Sequence, residues 1–184
     1  MEMILLLAVA LAMDSVAVSI AIGSKYKELL LSKTVFAASV FGFFQGAMPL
    51  AGYLIGIGFA EYVQAFDHWI AFVLLAGLGT KMLYEAYKNE FDEEVTDLSN
   101  KTLLSLAIAT SIDAMAVGVT FAFMQTDILS ASGVIALVTF ALCLVAVYIG
   151  KKLGSLLESK AEMVGGAILI ALGVKILAEH SGWL

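Results

Sequence analysis

The sequence predicts an all-α integral membrane protein with six transmembrane helices arranged as two inverted three-helix repeats. Three observations predict it. The 184 residues are 61% hydrophobic and only 14% charged, with a mean hydropathy of +0.98, which is too apolar for a soluble domain of this size. Apolar stretches long enough to cross a bilayer recur along the chain. Finally, two of these stretches, one in each half, carry an aspartate near the middle in matching surroundings. Residues 10–19 read A-L-A-M-D-S-V-A-V-S and residues 109–118 read A-T-S-I-D-A-M-A-V-G, so both fit A-x-x-[MI]-D-x-x-A-V.

A spanning helix needs about 20 apolar residues to cross about 30 Å of hydrocarbon. Residues 3–23 form the first. The Met1-Glu2 start lacks the positive region of a signal peptide, so this segment is expected to be retained. Residues 34–58 form the second, 102–125 the fourth and 128–150 the fifth, all uncharged apart from Asp14 and Asp113. The third, 69–80, and the sixth, 163–174, each offer 12 uncharged residues before Lys81 or Lys175, and must carry that lysine into or near the membrane. The expected organisation is a first repeat over 1–87, an acidic cytoplasmic linker over 88–101 (K-N-E-F-D-E-E-V-T-D-L-S-N-K) and a second repeat over 102–184.

Lysine placement orients the bundle. Lys25, Lys27, Lys33, Lys88, Lys101, Lys151, Lys152 and Lys160 all fall between segments on one side, whereas loops 59–68 and 126–127 hold no lysine. The positive-inside rule makes the lysine-bearing side cytoplasmic and both termini extracytoplasmic. The halves also match at their third helices, since L-G-T-K-M-L-Y-E over 78–85 recurs as L-G-V-K-I-L-A-E over 172–179. A repeat of three helices enters the membrane from opposite sides in its two copies, which makes it inverted.

Counted from the membrane entry of each helix, Asp14 and Asp113 lie about 15 Å deep at 1.5 Å per residue, so a two-fold axis in the membrane plane brings them together. An ionisable group at that depth costs roughly 2.5–3.5 kcal/mol on insertion scales, and a cost incurred twice at matching places points to joint use. Ser15, Thr110 and Ser111 adjoin the aspartates, and Gln45 adds an amide in a segment opened by Pro49. Such oxygens suit hard divalent cations, although serine, threonine and glutamine serve equally as hydrogen-bond glue between helices. Met13 and Met115 fit core filling better than thioether ligation. The pairs Lys81/Glu85 and Lys175/Glu179, spaced i,i+4, fit snorkelling at membrane edges or a pathway and gating role. Glu162 fits either a cytoplasmic entrance or a helix start. Gly42/Gly46, Gly52/Gly56 and Gly150/Gly154 have the spacing of close helix packing.

Several classes fall away. The single cysteine, Cys143, offers no disulfide framework or cysteine metal site. A net charge of −6 argues against nucleic acid. His68 and His180 have no histidine or cysteine at ligand spacing and read as interfacial. No nucleotide-binding P-loop is present. No resident cofactor or enzymatic activity is implied, and the oligomeric state is left open.

The motifs M-D-S at 13–15, F-G-F-F-Q-G-A-M-P-L at 41–50, H-W-I-A-F at 68–72, A-T-S-I-D-A-M-A-V-G at 109–118 and K-A-E-M-V-G-G at 160–166 occur in this order. Together they resemble the MntP family of manganese efflux pumps, related to the LysE-type exporter superfamily. The resemblance covers the whole chain. It implies a six-helix exporter of Mn²⁺ in the bacterial inner membrane, with the metal as substrate and Asp14 and Asp113 as leading ligands. Some members carry glutamate where this chain has Gln45, which bears on how negative the site is. The alternatives are export of another divalent cation, or of a small solute such as an amino acid. The latter is disfavoured because a zwitterion needs a basic partner that the midplane does not offer. An intramembrane aspartyl protease would need G-x-G-D where this chain has T-S-I-D at 110–113. A membrane scaffold leaves the duplicated charges unexplained.

Overall fold

The computed structural model describes residues 2–63, 67–88, 98–124, 126–153 and 158–180, with no strand among them. Their helices are α1 (Glu2–Lys25), α2 (Leu31–Val63), α3 (Asp67–Lys88), α4 (Asn100–Ala109), α5 (Ile112–Phe123), α6 (Ile128–Leu153) and α7 (Glu158–His180). Most of the acidic linker, residues 89–97, lies outside the described residues. Glu2–Lys25, Leu31–Gly58, Asn100–Phe123 and Ile128–Leu153 are long and apolar enough to cross a membrane, while Ala71–Tyr84 and Met163–Ala178 are shorter apolar helices. The chain is a multi-pass membrane protein. Its surface has the matching polarity, because Phe43, Leu54, Leu129 and Leu137 are between 67% and 73% exposed whereas Gln45, Ser111 and both aspartates are buried. A lipid environment tolerates that arrangement and water does not.

The helices do not pack in chain order. α1 packs most extensively on α6, α2 on α5 and on α6, and α3 on α7, while α1 with α2 and α5 with α6 barely touch. Small residues permit the close crossings. A side chain on Gly52 would strike the Met115 carbonyl, one on Gly118 the Pro49 carbonyl, and one on Gly150 the Ile20 carbonyl. With Asp14 aligned on Asp113, Ile20 corresponds to Val119, which also lies against Gly52. Ile20 of α1 and Val119 of α5 thus both lie at a glycine of the helix they cross. At the third crossing, a Cβ on Gly79 would lie 2.5 Å from the Gly166 carbonyl oxygen, and one on Gly173 3.4 Å from that of Phe72. Gly42 and Gly46 face Ala136 of α6. The predicted glycine spacings therefore serve helix contact; Gly154 lies outside the described residues.

Local signals set several ends. Asp127 begins α6, its carboxylate accepting from Ser130 Oγ at 2.6 Å and from the Ser130 amide at 3.5 Å, and these bonds hold its carboxyl below the usual carboxylate range. Ser99 caps α4 by accepting from the Thr102 amide at 3.2 Å. Lys151, near the end of α6, donates to the Leu29 carbonyl at 2.7 Å, which joins two of the lysine-bearing ends predicted to share a side.

Two expectations change. The span predicted as one helix over 102–125 is two, interrupted at Thr110–Ser111. Ser111 adopts φ −107°, ψ 3° and its amide bonds back only three residues, to Ile108 O at 3.2 Å, a tightened turn that ends α4. Threonine and serine compete for the backbone through their hydroxyls, and Thr110 Oγ1 reaches the Ala107 carbonyl at 3.4 Å. Residues 11–12 of α1, which match this step, are Leu-Ala, and α1 runs through unbroken. Conversely, α2 stays helical through Pro49, the residue expected to open that segment. Its first helical turns on either side are held by packing, with the Pro49 carbonyl tight against Gly118.

Candidate cation-binding site

Asp14 in α1 and Asp113 in the first turn of α5 are 6% and 5% exposed. They lie within electrostatic reach of each other. Asp113 sits at the helix start made by the Thr110–Ser111 break, where unbonded amides and the helix dipole favour a negative charge. Its Oδ1 accepts from the Ala114 amide at 2.8 Å, while Oδ2 is buried with no hydrogen-bond partner among the described residues. That is a costly state for a carboxylate oxygen unless something else, such as a cation, approaches it.

The neighbouring oxygens form a network. Ser15 Oγ donates to Thr110 Oγ1 at 3.2 Å, tying α1 to the break. Ser111 Oγ donates to Gln45 Oε1 at 2.7 Å, and Gln45 Nε2 donates to the Leu11 carbonyl at 2.6 Å, so three helices meet at one amide. All four side chains are buried. Both ends of Gln45 are thus engaged between helices, although its carbonyl oxygen keeps a second lone pair. Met13 packs with Met82 against Gly165, a core role. Among the described residues, no group of three or more His, Cys, Asp and Glu side chains gathers as a metal cluster. A cation held here would rely on two carboxylates, with hydroxyl, amide or water oxygens completing six or more ligands.

Lys81 is the residue whose surroundings the sequence did not foretell. Its charge is felt at Asp113 across the bundle, while its side chain is exposed. The repeated L-G-x-K pattern marked Lys81, but only the α3 packing sets how near it comes. Lys175 is exposed on α7. The side chains of Glu85, Glu162 and Glu179, and of His68 and His180, lie outside the described residues. Ser132 and Thr139 of α6 are further polar groups, buried with hydroxyls that have no partner among the described residues; their only trace in the sequence is a hydroxyl within an apolar span.

Residues 28–177 match a family described as "Putative manganese efflux pump". The chain belongs to this family, MntP. Its relatives include a protein of Campylobacter curvus that is 49% identical, with 96% of each chain covered. One from Clostridium botulinum is 44% identical over 98% of this chain and 96% of its own. Another from Mannheimia succiniciproducens is 48% identical over 95% and 94%. The first and third carry the name "Putative manganese efflux pump MntP" and the second "Putative manganese efflux pump MntP 2". Because these matches span nearly the whole chain, they take in both Asp14 and Asp113. No solved structure matches.

Proposed function

We propose that this protein exports Mn²⁺ from the cytoplasm across the inner membrane, in exchange for protons, through a site built on Asp14 and Asp113. The observation that carries the reading is the burial of two aspartates within electrostatic reach of each other in a membrane bundle. The names of the family and its relatives support manganese as cargo. Six helices span the membrane in this reading, α4 and α5 together forming one, and they make two inverted repeats with both termini outside. The glycine crossings of α1 on α6 and of α5 on α2, and the mutual packing of α3 and α7, support that symmetry. Inverted repeats supply two related conformations, as alternating access requires. Ser15, Thr110, Ser111 and Gln45 shape the site and lend it oxygens.

Export needs a drive. Moving a divalent cation outward against an inside-negative potential costs roughly 4.6 kcal/mol per 100 mV, twice the single-charge value. Two carboxylates held close repel when both are ionised, so protons compete with metal for them. Metal loads from the cytoplasm and protons from outside displace it.

The second reading is export of an amino acid whose ammonium meets the aspartates and whose carboxylate meets Lys81, the lysine whose charge is felt at Asp113. One experiment separates the two. Purified protein in liposomes is offered Mn²⁺, Mg²⁺, Ca²⁺, Zn²⁺ and a panel of amino acids, with and without a proton gradient. Uptake of Mn²⁺ that disappears when the gradient is collapsed is expected. Uptake of an amino acid and no metal would overturn the cation reading, and Mn²⁺ flux indifferent to the gradient would refute exchange alone.

A further inference from the structure

α6 and α7 both neighbour α1, yet they scarcely touch each other. Between them runs an open cleft of about 300 Å³. Its floor is α1 from Met13 to Ile20, its walls carry Val145 and Ile149 of α6 and Val164 of α7, and Lys160 in the first turns of α7 stands at the end where α6 finishes. Among the described residues, every other side chain lining it is apolar. Met13, the neighbour of Asp14, closes the deep end. The seven residues from there to Ile20 make the cleft about 10 Å long at 1.5 Å per residue. A helix of that length, 10–12 Å across, fills roughly 800 Å³, so the space is too small for one. An acyl chain of one leaflet, which spans half of about 30 Å of hydrocarbon, has both the width and the reach.

The lysine end selects the headgroup. Lys152 continues the α6 face that bears Val145 and Ile149, seven and three residues further on, and it is exposed with its ammonium 4.6 Å from the Tyr148 ring. Lys160 is exposed as well, whereas Lys151 is already engaged with the Leu29 carbonyl. Two ammonium groups at the mouth of an apolar cleft between spanning helices match a phosphate carried on a fatty chain, and their stems can lie along the walls while the charges stay at the headgroup level. From this shape and charge we propose that the α1/α6/α7 cleft binds one anionic phospholipid, with an acyl chain against Met13–Ile20 and the phosphate on Lys160 and Lys152. The lipid completes packing that α6 and α7 leave unmade, next to the turn of α1 that bears Asp14. This site does not depend on which cargo the protein carries.

The test is native mass spectrometry of the purified full-length protein in detergent, titrated with phosphatidylglycerol or with phosphatidylcholine of the same chains, paired with thermal melting. The wild type is expected to hold one phosphatidylglycerol at least fivefold more tightly than phosphatidylcholine and to melt higher with it. Lys152→Gln/Lys160→Gln should lose that preference. Val164→Trp, which puts an indole into the cleft from its exposed rim, should lose the bound lipid. Equal retention of the two lipids by the wild type, or a preference that survives in the lysine variant, overturns the proposal. Retention unchanged by Val164→Trp puts the phosphate on the lysines outside the cleft and overturns it as well. A dimer that dissociates on Val164→Trp assigns the cleft to a second copy of this chain, again against the lipid. If Val164→Trp does not fold, Val145→Trp on the opposite rim carries the same expectation and the same refutation.

Discussion

Gln45→Leu tests how the site is held. Gln45 is fully buried, and its amide bridges Ser111 Oγ of the helix break at 2.7 Å and the Leu11 carbonyl of α1 at 2.6 Å. Leucine fills a similar volume and removes both bonds. The Ser111 hydroxyl loses its acceptor, while the Leu11 carbonyl loses only a second partner beyond its helical one. In water-soluble proteins each orphaned group costs about 1–3 kcal/mol. Between membrane helices the mean is nearer 0.6 kcal/mol and the maximum about 1.7, because helices separated in the bilayer also find partners. The membrane values apply here, and two bonds come to about 1–3 kcal/mol. For a chain of this size that lowers the melting temperature by about 3–9 °C. The assay is thermal melting in lipid nanodiscs without metal. Ser39→Ala serves as the control, since the Ser39 hydroxyl only bonds back to Val35 O of its own helix at 2.8 Å and its loss should shift the midpoint little. A Gln45→Leu midpoint equal to that of the wild type would refute the bridging role. A small shift accompanied by a more than tenfold loss of Mn²⁺ affinity would instead put the Gln45 carbonyl oxygen in the metal's coordination shell.

Asp14→Asn and Asp113→Asn should each abolish manganese tolerance of cells without lowering the amount of protein in the membrane, while Lys25→Ala leaves it intact; full tolerance in either aspartate variant removes that residue from the site. For topology, Glu93→Cys and Asp127→Cys in a Cys143→Ala background should differ towards an impermeant thiol reagent added outside, with position 127 labelled and 93 silent, and the reverse pattern would invert the orientation. Gly118→Ala should lower the melting midpoint through collision with the Pro49 carbonyl, overpacking of a kind that costs about 1–3 kcal/mol. Gly58→Ala, where a Cβ meets open space, should be neutral or better, and equal behaviour of the two would refute the close α2·α5 approach.

What the sequence determined by itself was whatever sums over neighbouring residues. Membrane residence and the apolar spans follow from local hydropathy. The aspartates stood out because a charge among apolar neighbours is costly wherever the helix lies. The glycine spacings were legible as contact surfaces for the same reason, since a helix repeats its face every three to four residues. The break at Thr110–Ser111 was half-legible: two hydroxyl residues just before an acid have the form of a helix start, yet the matching apolar run hid it. Tertiary structure alone decided the rest. α1 lies on α6 rather than on α2, both ends of Gln45 are taken up by other helices, and the charge of Lys81 is felt at Asp113. Those outcomes depend on which glycine admits which backbone. That is a property of two surfaces meeting across the bundle, and periodicity within one helix carries no record of the partner that the other surface belongs to.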